Sequence, residues 1–295
     1  MSVGIVIPVY NSADVLTDAI ESVLGQNPPA DRLIVVDDGS TDDTPSVLEK
    51  YRGHLEYVRQ PNRGPSAARN VGWARLTTDA VIFLDADDLL LPGGIATRMN
   101  LLRGADGAWG HTEGYLQGPG EDRRLFSATY PPEEGRPAGW IFSALLCRNF
   151  ITTSAAIVRR QALERVGGFD ESIRGMEDWD LWLRLAVRYP AGYGLEPTFV
   201  QRRGPGTLSS DRQAMTRLRY HILVKIRRLF PREVAAAGWP ARRSVADAHN
   251  ALGYALARPG HWREARSCLW QSVKLWPWQG RAWFLLIRSL LARAG

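Results

Sequence analysis

Residues 3–42 read VGIVIPVYNSADVLTDAIESVLGQNPPADRLIVVDDGSTD. The run at 3–10 is apolar and rich in β-branched side chains, which predicts a buried strand. Residues 12–25 repeat apolar side chains at helical spacing, and Asn11 or Ser12 is the predicted N-cap. A second apolar run at 32–37 predicts another buried strand. This order of strand, helix and strand indicates a βαβ unit with parallel strands.

The same alternation continues along the chain. Further helices are predicted at 41–51, 65–76 and 178–189, and further strands at 55–59, 80–85 and 151–159. This pattern predicts an α/β fold with a Rossmann-like, doubly wound and mostly parallel sheet. The middle of the chain is less regular, and residues 118–138, rich in Gly, Pro and charge, read as a loop or lid.

From residue 211 onward helical patterns replace strands, so we predict one domain at 1–210 and a helical C-terminal region at 211–295. That region holds 16 Lys and Arg against 4 Asp and Glu, within a chain of net charge +6. Its helices are predicted at 246–257, 262–275 and 281–292. They fit either one tetratricopeptide-like hairpin or a plain helical bundle.

The composition is that of a globular protein, with 45% hydrophobic and 23% charged residues. The two cysteines, Cys147 and Cys268, argue against a disulfide framework and favour a reducing compartment. We find no stretch of about 18 uncharged apolar residues that would span a membrane, and residues 3–9 lack the basic flank of a targeting segment. We therefore expect a cytoplasmic location.

Acidic residues follow the predicted strands at the edge where a parallel sheet binds ligands. They are Asp37 and Asp38 after the second strand, and Asp85, Asp87 and Asp88 at the strand that begins at residue 80. Carboxylates this close repel one another unless a cation or a ligand's donor groups stabilise them. Oxygen ligands at this density suit Mg²⁺ or Mn²⁺.

Each acidic run has a simpler reading when taken alone: a turn at Asp-Gly-Ser, a helix cap at Asp-Ala-Asp-Asp, or an incomplete calcium loop at 37–43. Their joint position at matching strand ends favours a site. Neither Gly-rich phosphate-binding motif follows the first strand, which excludes P-loop kinases and nicotinamide enzymes. A bound diphosphate would therefore depend on metal charge, with Arg63 and Arg69 nearby.

Five stretches resemble, in order, the motifs of family 2 glycosyltransferases, whose fold is called GT-A. They are IVIPVYN at 5–11, VVDDGSTD at 35–42, NRGPSAARN at 62–70, FLDADD at 83–88 and MEDWD at 176–180. The resemblance covers about residues 1–210. It implies an inverting transfer of a sugar from a nucleotide diphosphate, UDP first among them, to an acceptor hydroxyl. It also implies a glycan or lipid-linked glycan acceptor and a role in bacterial surface-polysaccharide or glycoconjugate synthesis.

The resemblance assigns roles to individual residues. The donor would be bound by Pro8, Tyr10, Asn11, Asp38, Arg63, Arg69 and Asp85. Among these, Asp38 would read the base and Arg69 would hold the phosphates or sugar. Asp87, with Asp85, would bind the divalent metal.

The Glu-Asp pair, Glu177 and Asp178, matches the family's catalytic residues, with Asp178 as the base. We expect the helix that starts there to favour the ionised carboxylate through its dipole. Trp179 and Trp109 are candidates for stacking on an acceptor sugar. One departure is Gly204, which stands where many members have a histidine. Either the metal would have fewer protein ligands, or Arg202 or Arg203 would take over the leaving-group charge.

The basic, Trp-rich C-terminal region is predicted to pack against the catalytic domain. A second reading is a peripheral contact with an anionic membrane at its inner face. Nucleic acid is not an expected partner, because no recognition module is visible. A rival function is a non-catalytic nucleotide-sugar-binding or interaction protein that works through this region. A nucleotidyltransferase would need a Gly-rich loop after the first strand, and Asn-Ser-Ala at 11–13 is not one.

Overall fold

The computed structural model describes residues 1–103, 107–129, 138–204, 211–258 and 260–291. The chain forms two compact units, Met1–Ile141 with Phe150–Thr207, and Phe142–Asn149 with Leu208–Gly295. The domain boundary predicted at residue 210 lies outside the described residues and stays a prediction.

Eleven strands occur among the described residues of the first unit. They are β1 Val3–Val9, β2 Arg32–Asp37, β3 Glu56–Arg59, β4 Ala80–Phe83, β5 Leu89–Leu90, β6 Trp109–Thr112, β7 Tyr115–Gln117, β8 Arg124–Leu125, β9 Ala156–Arg159, β10 Ala191–Gly194 and β11 Phe199–Arg202. Seven form the main sheet in the order β10-β6-β9-β4-β1-β2-β3, and four form a smaller sheet in the order β5-β11-β7-β8. In the main sheet only β9 runs antiparallel to its neighbours.

Twelve α-helices occur in the described parts of the chain. They are α1 Leu16–Leu24, α2 Thr44–Glu49, α3 Pro65–Arg75, α4 Gly94–Leu101, α5 Phe142–Cys147, α6 Arg160–Val166, α7 Glu177–Ala186, α8 Arg212–Leu229, α9 Pro231–Ala236, α10 Gly238–Ala257, α11 Trp262–Leu275 and α12 Gly280–Leu291. Short 3-10 turns lie at Phe126–Thr129 and Thr153–Ala155. Helix α5 belongs to the second unit, together with α8 to α12.

The core of the first unit lies between the central strands and the helices that pack on them. β1 is buried over its whole length, and Leu16 and Ile20 of α1 join the buried cluster around it. On α3, a Cβ at Gly72 would lie 2.4 Å from Cγ1 of Val6. This helix therefore approaches β1 more closely than any residue but glycine allows, and the contact fixes the helix against the strand.

The predicted α/β fold, with a mostly parallel sheet followed by helices, is confirmed. The predicted strand at 151–159 begins only at Ala156, after a 3-10 turn, and it is antiparallel. Helix α1 begins at Leu16 rather than near Ser12, because the backbone first makes a turn in which Ser12 O accepts from the N–H groups of Val15 and Leu16. Part of the region predicted as a loop forms β8, and residues 130–137 of it lie outside the described residues.

The second unit is built from helices, as its sequence predicts. The helix predicted at 262–275 has those bounds, whereas the one predicted at 246–257 starts earlier, at Gly238. Leu269, Val273 and Leu285 form its buried core with neighbouring small residues. The tetratricopeptide-like assignment stays a prediction. No helix in the described part of the chain combines the length and apolarity needed to cross a membrane.

Candidate functional site

Three loops meet at the carboxyl-end edge of the main sheet, because β1, β2 and β4 run parallel and side by side. Asn11 joins two of these loops. Its N–H donates to Ser40 Oγ at 3.0 Å, and its Oδ1 accepts from the N–H of Thr41 at 2.8 Å. Its backbone is left-handed, with φ of 48°. Next to it, Tyr10 exposes 47% of its surface, whereas Pro8 is buried within β1.

The first aspartate after β2 has a structural role. Asp37 is fully buried, and its carboxylate accepts from the N–H of Ser40 at 2.7 Å and from the hydroxyl of Tyr57 at 3.0 Å. Arg59 Nε lies 3.5 Å from the same carboxylate. Asp37 was predicted to be one of the carboxylates that need a cation or a ligand's donor groups. This prediction is wrong, because the Asp37 charge is already stabilised inside the protein.

Asp38 holds the loop that leads into α3. Its Oδ1 accepts from Gln60 Nε2 at 2.7 Å and from the N–H of Arg63 at 2.9 Å, and its Oδ2 accepts from the N–H of Gly64 at 2.7 Å. A carboxylate has about four lone-pair directions, so little of Asp38 remains open to a base. The Arg63 side chain points to Glu171, with Nη2 2.7 Å from Oε2.

Arg69 connects the Asp-x-Asp turn to the Glu-Asp helix. Its Nη2 donates to Asp85 Oδ1 and its Nη1 donates to Glu177 Oε1, each at 2.6 Å, and its side chain is only 5% exposed. The guanidinium also lies 5.2 Å above the ring of Phe169. The Arg69 charge thus lies between two carboxylates that it joins, and its assignment to the donor's phosphates or sugar stays a prediction.

The two other aspartates of the turn differ in their surroundings. Asp88 is buried and accepts from Ser154 Oγ at 2.5 Å and from the N–H of Arg202 at 3.1 Å. Burial, with the nearby charges of Asp85 and Asp87, raises the pKa of Asp88 well above its usual value. Asp87 stays accessible. The neighbouring protein nevertheless displaces enough water to raise the pKa of Asp87, and the Asp85 charge adds to the effect.

These aspartates fit a divalent cation that also binds a ligand. The described residues contain no group of three or more His, Cys, Asp or Glu that would hold a metal by itself. Mg²⁺ and similar ions often use one or two carboxylates and complete their shell with substrate phosphates and water. Burial is the main cause of the raised pKa of Asp87 and the Asp85 charge adds to it, and a bound cation would relieve both effects.

Asp178 lies in the first turn of α7, beside the Arg69 ion pairs. One of its oxygens accepts from the N–H of Trp179 at 2.7 Å. The sequence predicted that the helix dipole would favour the ionised form. Instead, burial and then the charge of Glu177 raise the pKa of Asp178 to about 7. Removal of water from the carboxylate outweighs the hydrogen bond from Trp179 and the charge of Arg69, which both lower the pKa of Asp178. A sequence pattern does not reveal this burial.

Arg202 lies next to the Asp-x-Asp turn. Its guanidinium donates to the carbonyl oxygen of Asp87, to Asp18 Oδ2 at 2.7 Å and to the carbonyl oxygen of Val15 at 3.2 Å. Of the two arginines predicted to replace the family histidine, it is the one whose charge acts on Asp87. A Cβ at Gly204 would meet no atom of the described residues within 4 Å, and residues 205–210 lie outside the described part.

Two tryptophans named for the acceptor are corrected. Trp179 and Trp109 are both 0% exposed. The ring of Trp109 stacks on Trp182 at 5.7 Å, and its Nε1 donates to the carbonyl oxygen of Tyr189 at 3.3 Å. Both are core residues, because their rings lie in the protein interior rather than at the sheet edge.

Sequence reasoning missed Ser154, which forms hydrogen bonds with two aspartates of the Asp-x-Asp turn. Its Oγ accepts from the N–H of Asp85 and donates to Asp88, and its carbonyl oxygen accepts from the buried Arg98. Ser154 lies outside the five motifs and about 70 residues from the turn. Its position follows only from the pairing of β9 with β4.

The family model described as "Glycosyl transferase family 2" matches residues 4–167, and a second, "Glycosyltransferase like family 2", matches residues 140–204. The chain is 29% identical over 208 residues to an uncharacterized glycosyltransferase of Rickettsia bellii, covering 70% of this chain and 29% of that protein. It is 26% identical over 233 residues to the putative teichuronic acid biosynthesis glycosyltransferase TuaG of Bacillus subtilis, covering 77% of this chain and 89% of that protein.

Two solved structures have a similar fold. Staphylococcus aureus TarS 1–349 in complex with UDP-GlcNAc aligns with a TM-score of 0.65 at 18% identity, over 93% of this chain and 81% of that chain. The mannosyltransferase PcManGT of Pyrobaculum calidifontis, in complex with GDP-Man and Mn²⁺, aligns with a TM-score of 0.58 at 20% identity, over 99% of this chain and 85% of that chain. These similarities confirm the predicted GT-A fold.

The family match covers more than half of the chain and includes four of the five predicted motifs. The fifth, which contains Asp178, lies in the range of the second model. The chain spans only 29% to 58% of the length of the Rickettsia relatives that it matches. On the family match, the chain belongs to glycosyltransferase family 2.

Proposed function

We propose that the protein transfers a sugar from a nucleotide diphosphate to a hydroxyl group of a glycan or lipid-linked glycan, with inversion at the anomeric carbon. The observation that carries this proposal is the double ion pair of Arg69. It joins the Asp-x-Asp turn to the Glu-Asp helix, which supports the assignment of Asp87 and Asp178 to one site. The similarity to TuaG supports a role in making a bacterial surface polysaccharide.

UDP is the proposed nucleotide. Among the similar structures, TarS is in complex with UDP-GlcNAc, whereas PcManGT is in complex with GDP-Man. The proposed base and ribose pocket consists of Pro8, Tyr10, Asn11 and Asp38. Tyr10 offers the exposed ring there, and Asp38 contributes mainly by shaping the loop.

Mn²⁺ or Mg²⁺ is the proposed cofactor, with Asp87 and Asp85 as its protein ligands. PcManGT is in complex with Mn²⁺. When bound, the metal would supply the positive charge that stabilises the departing diphosphate. Arg202, which lies against Asp87, would add a second positive charge to the same region and compensate for the absent histidine.

Asp178 is the proposed base. As the acceptor oxygen forms its bond to the anomeric carbon, the bond from that carbon to the diphosphate oxygen breaks, and the hydroxyl proton passes to Asp178. A pKa of about 7 suits a group that must accept a proton near neutral pH. Glu177 acts through position, because its ion pair with Arg69 fixes the start of α7.

Replacing Asp178 tests this function directly. Asp178→Asn should lower kcat by about 10²-fold or more, the usual size of a general-base effect, while binding of the donor is retained. The assay measures release of UDP from UDP-sugars in the presence of Mn²⁺, and calorimetry measures donor binding. Full turnover by Asp178→Asn would remove Asp178 from this role.

We further propose that residues 1–210 are the catalytic domain, and that the helical region at 211–295 makes a peripheral membrane contact from the cytoplasmic side. Trp278 and Phe284 of this region are 83% and 64% exposed, and Lys274, Arg281 and Arg288 lie near them in the sequence. Co-sedimentation with anionic and neutral vesicles at low salt measures this contact. Equal recovery in the supernatant with both would contradict it.

A further inference from the structure

The helical second unit contains a cavity whose walls carry mainly positive charge. Its volume is about 870 Å³, within the range of small-molecule sites. Its lining comes from α8, α10 and the first turn of α12. The charged residues in its wall are Arg212, Arg217, Asp247, Arg258 and Arg281.

The single aspartate of this wall does not neutralise the arginines. Asp247 Oδ1 accepts from Gln279 Nε2 at 2.6 Å, and its other oxygen lies 3.8 Å from Nε of Arg243, which is outside the cavity. Within the described residues, none of the four cavity arginines has a carboxylate within salt-bridge distance. The cavity therefore keeps an excess of positive charge.

Two of the four arginines lie at helix N-termini, where a positive charge is unfavourable. Arg212 and Arg281 lie in the first turns of α8 and α12, where the positive end of the helix dipole repels a cation. Stacking holds part of the cluster in place, because the Arg281 guanidinium lies 3.7 Å above the ring of Tyr254 and that of Arg258 lies 5.9 Å from it. Like charges gathered in this way are unfavourable unless an anion joins them.

We propose that this cavity binds a phosphorylated ligand, with a phosphate or diphosphate group between the arginine side chains. Guanidinium groups donate paired hydrogen bonds that match phosphate oxygens. The wall has four arginines and one aspartate, so it carries an excess of positive charge that the negative charge of a diphosphate would balance. The site shares no residue with the Asp-x-Asp turn or the Glu-Asp helix, so it is a second anion site, independent of the sugar donor.

Calorimetric titration of the full chain with inorganic pyrophosphate tests this proposal. EDTA is included, so that metal-assisted binding at Asp87 does not contribute. The cavity pair is Arg217→Ala with Arg281→Ala. The control pair is Arg232→Ala with Arg242→Ala, which removes the same charge from exposed positions outside the cavity. Wild type and the control pair should bind one pyrophosphate, and the cavity pair should bind about ten-fold more weakly or worse.

A conservative pair, Arg217→Lys with Arg281→Lys, keeps the charge and should retain part of the affinity, which separates loss of binding from loss of folding. Vesicles containing phosphatidylglycerol form a second arm. Vesicle binding that depends on the same two arginines would identify a lipid headgroup as the source of the phosphate, and its absence would identify a soluble ligand. Failure of the wild type to bind pyrophosphate, or equal losses in the cavity and control pairs, would overturn the proposal.

Discussion

At the scale of single residues, the surroundings of Asp178 determine how the enzyme should respond to pH. Burial and the Glu177 charge raise the pKa of Asp178 to about 7. A base must be deprotonated to accept a proton, so activity should be low below this pH, rise through it and level off above it. One desolvated carboxylate should therefore set a measurable limb of the pH profile.

The pH dependence of kcat at saturating donor measures this limb, which should lie near pH 7. The residual activity of Asp178→Asn should lack it. A limb near pH 4, the ordinary pKa of an aspartate, would show that Asp178 is not the base or that its carboxylate stays hydrated during catalysis.

Arg69 influences this limb from a distance, because its charge lowers the pKa of Asp178. Arg69→Met should therefore move the limb to higher pH. It should also reduce the free energy of unfolding by about 3–5 kcal/mol, since two partly or fully buried carboxylates lose their partner. Urea unfolding and the pH profile measure the two effects.

Two control variants accompany Arg69→Met: one keeps the positive charge at position 69, and the other removes an exposed arginine elsewhere. Arg69→Lys keeps the charge and should shift the limb less than Arg69→Met. Arg52→Met removes an arginine whose side chain is 78% exposed, so its effect on stability should stay within about 0.5 kcal/mol. A destabilised Arg69→Met enzyme with an unmoved limb would mean that Arg69 is structural only.

At the scale of secondary-structure elements, the contact between α3 and β1 positions the loop that Asp38 holds and the arginine that joins the two acidic motifs. Gly72→Ala should lower the free energy of unfolding by about 1–3 kcal/mol, the usual cost of overpacking, because its Cβ would lie 2.4 Å from Val6 Cγ1. Chemical denaturation measures this. Arg75→Ala, at an exposed position of the same helix, is the control, and equal stability of Gly72→Ala and wild type would contradict the expected overpacking.

The order and type of the elements were predictable from sequence, whereas their ends were less so. Continuous apolar runs identified β1 and β2 within a few residues, because these strands are buried, and the turn signal at 62–64 identified the start of α3. These signals did not reveal that the chain reverses at Ala156 to make an antiparallel strand, since strand direction depends on pairing between distant segments. They also missed that α1 starts after an additional turn, which is set by backbone hydrogen bonds of Ser12.

The candidate site shows the same limit. The acidic motifs indicated which residues gather at the sheet edge, and the resemblance gave them roles. Sequence did not show that the Asp37 charge is already paired or that the rings of Trp109 and Trp179 are buried, and for that reason these three assignments changed. Pairing and burial are properties of three-dimensional neighbours such as Ser154 and Glu177, which lie far from their partners along the chain.

At the scale of the whole molecule, the proposed site contains Asp85 and Asp87, which bind a cation, and Asp178, which acts as the base. The cation in turn binds the diphosphate of the donor. We therefore predict that UDP binds with the help of a divalent ion. At about 100 times the Kd, a ligand adds about 2.7 kcal/mol to the free energy of unfolding of the protein that binds it. Asp87→Asn should lose this metal-dependent stabilisation, whereas Asp178→Asn should keep it.

The most direct measurement is the affinity for UDP, determined by calorimetry with Mn²⁺ and with EDTA, for the wild type, Asp87→Asn and Asp178→Asn. We predict tighter binding with Mn²⁺ for the wild type and for Asp178→Asn, and no effect of Mn²⁺ on Asp87→Asn. UDP binding by the wild type that is equally tight with Mn²⁺ and with EDTA would contradict a metal-assisted site at the Asp-x-Asp turn.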